Sequence, residues 1–385
     1  MKTSTAVILA GIAVAIAFGP RFLHAARSAQ PVSASSTTGD GGFDRKESAA
    51  LFVGVRRFTH RELVQVRYAA DDAVDLAYLF VFDRRIRLVP ADRVIIALSG
   101  RPEKPESQLR LEQLQHAGAI LRHADQTDIA LLLRRQAALA GKNGILIVSL
   151  ATHGFVRDGV PYILGASSVV QYPATTVSVA SILDTTARSR AARSLVFIDA
   201  CRERLSPPTR SVTRQTETAA PLLRRMGHTH GQAIFFAAAA GGFAYDDDGS
   251  RNGVFTKAVI DGLNCHAAKP RGNVTAYTLG TYVQNSVLKW IHQNVDSSIR
   301  SAIQLDIDGD ARNMPLSQCW VTTCSDPAVC LIARVTTKGT TVVALKSDGT
   351  EAWRHEAGER IRRAVVADID ADGDNEVVLA TKFAV

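Results

Sequence analysis

The sequence predicts an α/β fold in which a mostly parallel sheet is covered by helices. Five apolar runs recur along the chain, and they are continuous rather than alternating: residues 51–55, 94–98, 144–150, 195–198 and 233–236. Strands that are buried on both faces require such runs. Helical patterns follow or separate them at residues 70–82, 127–140, 254–263 and 276–293. Together these elements predict one α/β domain over residues 48–318.

The composition fits a folded chain with a full core. Its 385 residues are 46% hydrophobic and 21% charged, which excludes a disordered, a collagen-like and a multi-span membrane protein. The net charge is +8, from 45 basic and 37 acidic side chains. This is a mixed surface rather than a basic arm, so we expect no nucleic-acid partner.

The N-terminus predicts export. Lys2 precedes an apolar run over residues 6–19, and small residues follow at Ala25, Ala26 and Ala29, so residues 1–29 have the pattern of a secretory signal peptide. The uncharged stretch 3–20 is only slightly shorter than a membrane span, which leaves an N-terminal anchor as the alternative and the only expected membrane contact. Residues 30–47 are rich in Ser, Thr and Gly and predict a flexible linker. We therefore expect a periplasmic, extracellular or membrane-anchored protein.

Five cysteines suggest disulfides together with one free thiol. Cys201 stands apart from Cys265, Cys319, Cys324 and Cys330. An odd total in an exported chain favours this division, although the spacings leave all three pairings of the last four open. Four buried, reduced cysteines are the alternative.

Two of the predicted strands end in residues that carry chemistry. The third strand runs into Thr152-His153-Gly154 and the fourth into Asp199-Ala200-Cys201. Active groups of such folds gather at the carboxyl ends of the strands. His153 and Cys201 are therefore candidates for a general base and a thiolate nucleophile. The N–H groups of Gly154 and Cys201 are candidate donors to an oxyanion. A buried filler cysteine and an incidental histidine are the alternative.

Several ordered motifs resemble the caspase-like cysteine peptidases, and are closer to metacaspases and bacterial caspase homologues than to animal caspases. They are ALFVGV, RYAADDAVDLAYLF, SLATHG, SLVFIDAC, the 233–263 segment, GNVTAYTLGTYVQNSV and residues 304–316. His153 and Cys201 lie 48 positions apart (201 minus 153), and about 50 is typical of caspases. The resemblance implies a caspase-haemoglobinase-like fold and a peptidase that uses His153 as base, Cys201 as nucleophile and no cofactor for catalysis.

The resemblance also implies an acidic S1 pocket. Asp199 and Asp72 match the two metacaspase carboxylates that select Arg or Lys, so we expect protein or peptide substrates with a basic P1 residue. Two partly desolvated carboxylates would hold a guanidinium and repel an acid. A helix-cap or surface carboxylate and a loop-closing one are the alternatives. The run 246–248 could extend the acidic rim, but an Asp-rich turn is favoured there.

The sequence also departs from the family pattern. Glu203 replaces the Gly found two residues after the nucleophile in caspases, and Ala151, two residues before His153, replaces the Ser found in many metacaspases. Pro208 and Ser168 fall near positions of the activating calcium site of metacaspases, so calcium activation is not expected for this domain. The loop 202–227 is rich in Arg, and we predict self-cleavage within it, after Arg225. A solvated basic loop is the alternative.

Residues 319–385 predict a small β-rich segment with a calcium loop. Short β-like runs occur at 331–335, 341–345 and 377–381. Between the last two, acidic side chains alternate around a turn-making glycine, in the spacing that suits calcium: Asp368, Asp370, Asp372, Asp374 and Glu376. The segment resembles one FG-GAP-type repeat. An unliganded acidic turn is the alternative.

The sequence as a whole predicts an exported caspase-like endopeptidase that cleaves after basic residues through an acyl-enzyme on Cys201. The competing hypothesis is a binding scaffold with the same fold, in which the His153–Cys201 pair is idle and the C-terminal segment serves adhesion.

Overall fold

The structure is a computed structural model of the chain. It describes residues 8–9, 13–16, 43–83, 85–200, 203–204, 231–238, 242–268, 273–299, 303–326, 329–336, 339–346, 351–357, 363–367 and 376–380. The chain forms two compact units. One comprises Thr38–Ala267 with Val274–Ser317, and the other comprises Met1–Thr37, Ala268–Asn273 and Gln318–Val385. The domain boundaries drawn from the sequence stay predictions.

Strands and helices are numbered along the chain, beginning with the short strands β1 (Ile8–Leu9) and β2 (Ala13–Ile16) of the second unit. The first unit is built on a seven-stranded sheet with the order β16-β12-β10-β6-β3-β4-β5. All neighbouring pairs are parallel except β12 and β16. The seven strands are β3 (Ala49–Val55), β4 (Val94–Ser99), β5 (Ile120–His123), β6 (Ile145–Ala151), β10 (Arg193–Asp199), β12 (Gln232–Phe236) and β16 (Gln304–Ile307). The predicted α/β fold class is confirmed, and all five predicted strands are present.

Six helices flank this sheet in the described part of the chain. They are α1 (Ala69–Phe82), α2 (Pro105–His116), α3 (Gln126–Leu139), α4 (Val179–Ala187), α5 (Val254–Asp261) and α6 (Ala276–Asn294). Four of them agree with the sequence prediction to within two residues. The other two, α2 and α4, were not predicted.

Small strands lie outside the central sheet. A four-stranded sheet has the order β11-β7-β8-β9, and two pairs, β13 with β14 and β15 with β17, are separate. The ranges are β7 (Gly154–Arg157), β8 (Val160–Ile163), β9 (Val177–Ser178), β11 (Glu203–Arg204), β13 (Asp246–Asp247), β14 (Asn252–Gly253), β15 (Val274–Thr275) and β17 (Pro315–Ser317).

A close contact between β3 and α1 fixes the start of α1. A β-carbon at Gly54 would lie only 2.3 Å from the carbonyl oxygen of Ala69, so the glycine lets the helix approach the strand directly. Aromatic packing continues this contact, since Phe80 faces Phe52 with ring centroids 6.0 Å apart and Phe197 at 6.4 Å. The first turn of α1 is therefore held over the carboxyl end of the sheet.

The second unit is entirely β in its described part. Four antiparallel strands run in chain order, β18 (Trp320–Asp326), β19 (Val329–Thr336), β20 (Gly339–Lys346) and β21 (Glu351–Ala357). A second sheet has the order β1-β2-β23-β22, with β22 (Arg363–Ala367) and β23 (Glu376–Ala380). Within the described residues no helix has the length and hydropathy to cross a membrane. The signal peptide and the N-terminal anchor stay predictions.

Two of the cysteines are described together with their bonding. Cys265 and Cys319 each form a disulfide, in keeping with the disulfides expected among the last four cysteines. The backbone register sets residues 324 and 330 opposite each other on β18 and β19. Cys201 lies outside the described residues.

Candidate active site

The two chemistry-bearing strand ends are neighbours in register. Ala151, the last residue of β6, is paired with Asp199, the last residue of β10. Beyond the sheet, β7 pairs with β11 in parallel, with Phe155 opposite Glu203. The same sequence separation relates the paired residues before and after His153. The strands on either side of position 201 therefore pair with the strands on either side of position 153. Gly154 begins β7 directly after His153.

His153 is held by its neighbours on three sides. Its Nε2 atom is 2.7 Å from the carbonyl oxygen of Val64, and its ring stacks on Phe58 with centroids 5.1 Å apart. Its backbone carbonyl accepts from the N–H of Leu164 at 3.0 Å, and Thr152 beside it donates its N–H to the carbonyl of Asp199 at 3.1 Å. The histidine is thus fixed between the loop after β3 and the end of β10.

The contact with Val64 also selects the tautomer of His153. A carbonyl oxygen only accepts, so Nε2 carries the hydrogen and Nδ1 is the basic nitrogen of the neutral ring. Burial lowers the pKa of His153 below its ordinary value, against a smaller opposing effect of the Val64 carbonyl. The ring is therefore neutral at pH 7 and able to accept a proton at Nδ1.

Asp72 and Asp199 both lie against Gly253. A β-carbon at position 253 would lie 2.8 Å from Asp199 Oδ2 and 3.1 Å from Asp72 Oδ2. Asp72 comes from the first turn of α1 and is only 3% exposed, and Asp199 is half-buried at the end of β10. The structure thus brings together the two carboxylates that the sequence singled out, directly beside the strand end that carries His153.

Both carboxylates resist ionisation. Burial raises the pKa of Asp72 well above its ordinary value, and the charge of Asp199 raises it further. Burial raises the pKa of Asp199 to about 7, although Thr256 donates its hydroxyl to Asp199 Oδ2 at 3.0 Å. Two close, desolvated carboxylates cannot both be charged without a cation between them. The pair is therefore suited to bind a cationic group.

The neighbouring carboxylates of α1 have different partners. Asp71 accepts from the backbone N–H groups of Glu103 and Lys104 at 2.9 and 2.8 Å. Asp75 forms ion pairs with Lys104 and Arg110, and although burial alone would raise its pKa, these cations lower it below the ordinary value. Asp71 and Asp75 therefore serve the packing of the chain around α2, whereas Asp72 faces another acid.

A short acidic hairpin, β13 and β14, borders the pair. Asp246 stands opposite Gly253 in register, and its charge raises the pKa of both Asp72 and Asp199. Asp247 accepts from the N–H and hydroxyl of Ser250 at 3.1 and 2.6 Å, which closes the turn. Asp247 thus forms the Asp-rich turn that the sequence favoured, while Asp246 adds negative charge beside Asp72 and Asp199.

Comparison with known proteins places the chain in a family. The family described as "Caspase domain" matches residues 48–306. The chain belongs to the caspase-domain family. This is a family of cysteine peptidases that act on proteins. No match was found among curated proteins.

Among solved structures, the caspase-domain chain is similar to insect caspases. Caspase-1 of Spodoptera frugiperda has a TM-score of 0.42 at 13% identity, covering 73% of this chain and 94% of that one. The structure of pro-Sf-caspase-1 has 0.42 at 12%, with the same coverage of 73% and 94%. The Drosophila initiator caspase Dronc has 0.42 at 10%, covering 82% and 98%.

Several residues of this caspase-domain site were not found from the sequence. Val64 acts through its backbone carbonyl, which has no sequence signature. Asn252, Gly253 and Thr256 follow an Asp-rich turn and open α5, so the run Asn-Gly-Val-Phe-Thr was the available signal. The polar Asn252 and the glycine at position 253, at the start of an apolar helix, mark a place where a ligand could approach the backbone closely.

Other predicted site residues lie outside the described part of the caspase-domain chain. The side chain of Cys201, the loop around Arg225, and residues 368–375 of the calcium loop are among them, and Glu376 is described only as backbone in β23. Within the described residues, no group of His, Cys, Asp and Glu side chains forms a metal centre. The nucleophile, the oxyanion donors and the calcium ligands stay predictions.

Proposed function

We propose that this protein is a cysteine endopeptidase that cleaves after Arg or Lys. The observation that carries the proposal is the pair Asp72 and Asp199, which faces Gly253 beside His153 and has no cationic partner among the described residues. Animal caspases hold an acidic P1 side chain, which this pair would repel. A guanidinium or ammonium group would allow both carboxylates to ionise.

The proposed reaction uses Cys201 and His153. His153 Nδ1 takes the thiol proton, and the sulfur forms a bond to the scissile carbonyl carbon. The C–N bond then breaks as His153 returns the proton to the leaving amine, which leaves an acyl-enzyme. Water, deprotonated by His153, attacks the acyl carbon and expels the thiolate, which regains a proton. The N–H groups of Gly154 and Cys201 are proposed as donors to the oxyanion.

A P1 series of fluorogenic peptides tests the proposal. Peptides that end in Arg, Lys, citrulline, Asp or Ala before the reporter differ only in charge and length at P1. We expect kcat/KM for Arg to exceed that for citrulline, its uncharged isostere, by about a hundredfold or more. Cys201→Ala should abolish hydrolysis, and His153→Ala should lower kcat by a factor of about 10² to 10⁴.

Two outcomes of this series would contradict the proposal. Preference for Asp over Arg would contradict the acidic S1 pocket while leaving the peptidase intact. Complete inactivity of the wild type toward all five peptides, before and after removal of residues 1–29, would favour the binding scaffold.

We further propose that the chain processes itself after Arg225. The loop 202–227 directly follows Cys201 and offers several Arg residues to a pocket that accepts Arg. Intact-mass analysis of purified wild type should show two fragments, one that ends at Arg225 and one that begins at Met226, while Cys201→Ala stays intact. The matched variants Arg225→Gln and Arg210→Gln separate the sites. An intact loop in active wild type would contradict this step.

We propose the C-terminal calcium loop from the spacing of its carboxylates, and export from the signal-peptide pattern of residues 1–29. We expect CaCl₂ to raise the Tm of the β-rich unit in the full chain, and Asp370→Asn with Asp372→Asn to remove that effect. Asp348→Asn is the control, since this acid lies outside the loop. Intact mass of protein recovered from the exported fraction would show loss of residues 1–29, whereas a full-length membrane-bound chain would favour the anchor.

A further inference from the structure

Asn252 joins the Asp72–Asp199 pair to a buried cation. Its side-chain Nδ2 donates to Asp72 Oδ1 at 2.8 Å and to Asp75 Oδ2 at 3.2 Å. Its Oδ1 accepts from Lys104 Nζ at 2.7 Å. Asn252 is only 4% exposed and Lys104 only 9%, so this chain of contacts is shielded from water. The Asn252 amide therefore lies between Asp72, which has no cationic partner among the described residues, and the buried cation of Lys104.

The oxygen and the nitrogen of the Asn252 amide contact groups of opposite charge type, a lysine and a carboxyl. Lys104 already forms an ion pair with Asp75, which Arg110 and the Ser107 hydroxyl at 2.7 Å also contact. Asp72 instead receives only neutral donors among the described residues, namely the Asn252 amide and the Gly253 N–H at 3.1 and 3.2 Å. Asp199 and Asp246 are the other charged groups that face it. Asp72 thus keeps its charge-pairing capacity although a lysine lies one amide away.

We propose that Asn252 is a specificity-determining positioning residue that orients Asp72 toward the substrate and insulates it from Lys104. This inference deepens the proposed preference for basic P1 residues and rests on it. An ion pair between Lys104 and Asp72 would fill the pocket from within, because the internal cation would compete with the P1 cation. Asn252 prevents that pairing by occupying the lysine with its oxygen and the acid with its nitrogen.

Agmatine, a free guanidinium on a short chain, is the probe for this role. Its binding to full-length Cys201→Ala protein is measured by calorimetry at pH 6 and pH 8, which separates the pocket from turnover. Asn252→Ala should weaken agmatine binding about tenfold at pH 8, because Asp72 loses a donor and Lys104 is released toward it. Lys104→Met alone should tighten binding, since a cation beside the pocket is removed.

The double variant Asn252→Ala/Lys104→Met distinguishes insulation from simple packing. If Asn252 acts against Lys104, the double variant should recover at least about half of the lost binding free energy, because the competing cation is gone. If Asn252 only fills space, the second change should leave the defect as large or larger. Asn143→Ala removes an amide that donates to Glu47 at 2.9 Å, away from the pocket, and is the matched control.

The isosteric variant Asn252→Asp covers the case in which Asn252→Ala fails to fold. It retains an acceptor for Lys104 but replaces the donor to Asp72 with a third carboxylate. The agmatine affinity should then fall most at pH 6, and its rise with pH should shift to higher pH. An unchanged pH dependence would overturn the proposal.

The outcomes for this inference and for the proposed function are separable. If Cys201→Ala protein with native Asn252 does not bind agmatine, both the basic pocket and this role of Asn252 are overturned. If it binds agmatine, but Asn252→Ala leaves the affinity within twofold or Lys104→Met fails to rescue it, the inference about Asn252 alone is overturned.

Discussion

Ionisation of Asp72 and Asp199 has opposite effects on the stability of the fold and on the binding of a cation. A carboxyl whose folded pKa is raised binds protons more tightly in the folded than in the unfolded state. The folded state is therefore favoured at low pH, and this contribution is lost as the pH rises through about 7, the pKa of Asp199. The pocket is stable when protonated and competent to bind a cation when ionised.

Replacing Asp199 should therefore stabilise the protein while removing its selectivity. We expect Asp199→Asn to raise Tm at pH 8 by about 2 to 6 °C, because the cost of burying a charged carboxylate at position 199 disappears, and to raise it less at pH 5. Calorimetric scans at both pH values measure this. Asp184→Asn, which removes an exposed carboxylate paired with Arg188, is the control and should show no such difference. Equal Tm changes at both pH values would contradict the raised pKa.

At the scale of elements, the hairpin β13–β14 supplies a position without a side chain between the two acids. Gly253→Ala would place a β-carbon 2.8 Å from Asp199 Oδ2. We expect this variant to fold and to lose about tenfold or more in kcat/KM for an Arg peptide, mainly through KM, since the added methyl fills the pocket. The matched variant Gly309→Ala meets nothing within 4 Å and should keep full activity.

The packing of α1 on β3 depends on another glycine. A β-carbon at Gly54 would clash with the Ala69 carbonyl at 2.3 Å and the Ala70 α-carbon at 2.8 Å, both of which are backbone atoms. Gly54→Ala should therefore destabilise the chain by about 2 to 4 kcal/mol, because helix and strand must separate. Urea unfolding measures the loss. A change below about 0.5 kcal/mol would show that α1 is not held by this contact.

These elements also show which parts of the structure can be predicted from sequence. Buried strands such as β6 and β10 were found because their apolar runs are continuous, and His153 because it follows one of them. Helix α2 was missed because only Ser107 and Leu114 of it are buried, and β5 because it is a mostly exposed edge strand. Asn252 and the Val64 carbonyl act through contacts between distant segments, which local pattern does not encode.

At the scale of the whole molecule, activity should follow the ionisation of the pocket. Since Asp199 loses its proton near pH 7, kcat/KM for an Arg peptide should rise between pH 6 and pH 8. A citrulline peptide, which needs no ionised partner, should rise less over the same range. Parallel pH profiles for the two peptides would contradict a carboxylate pair that charges to receive its substrate.

The most direct test of the central claim joins the nucleophile to the acidic pocket in one experiment. Full-length protein is treated with peptidyl acyloxymethyl ketones that carry either Arg or Asp at P1, and the labelled peptide is mapped by mass spectrometry. We predict that the Arg reagent labels Cys201, that agmatine suppresses this labelling, and that the Asp reagent does not label it. Equal labelling by both reagents, or labelling only of other cysteines, would contradict the account.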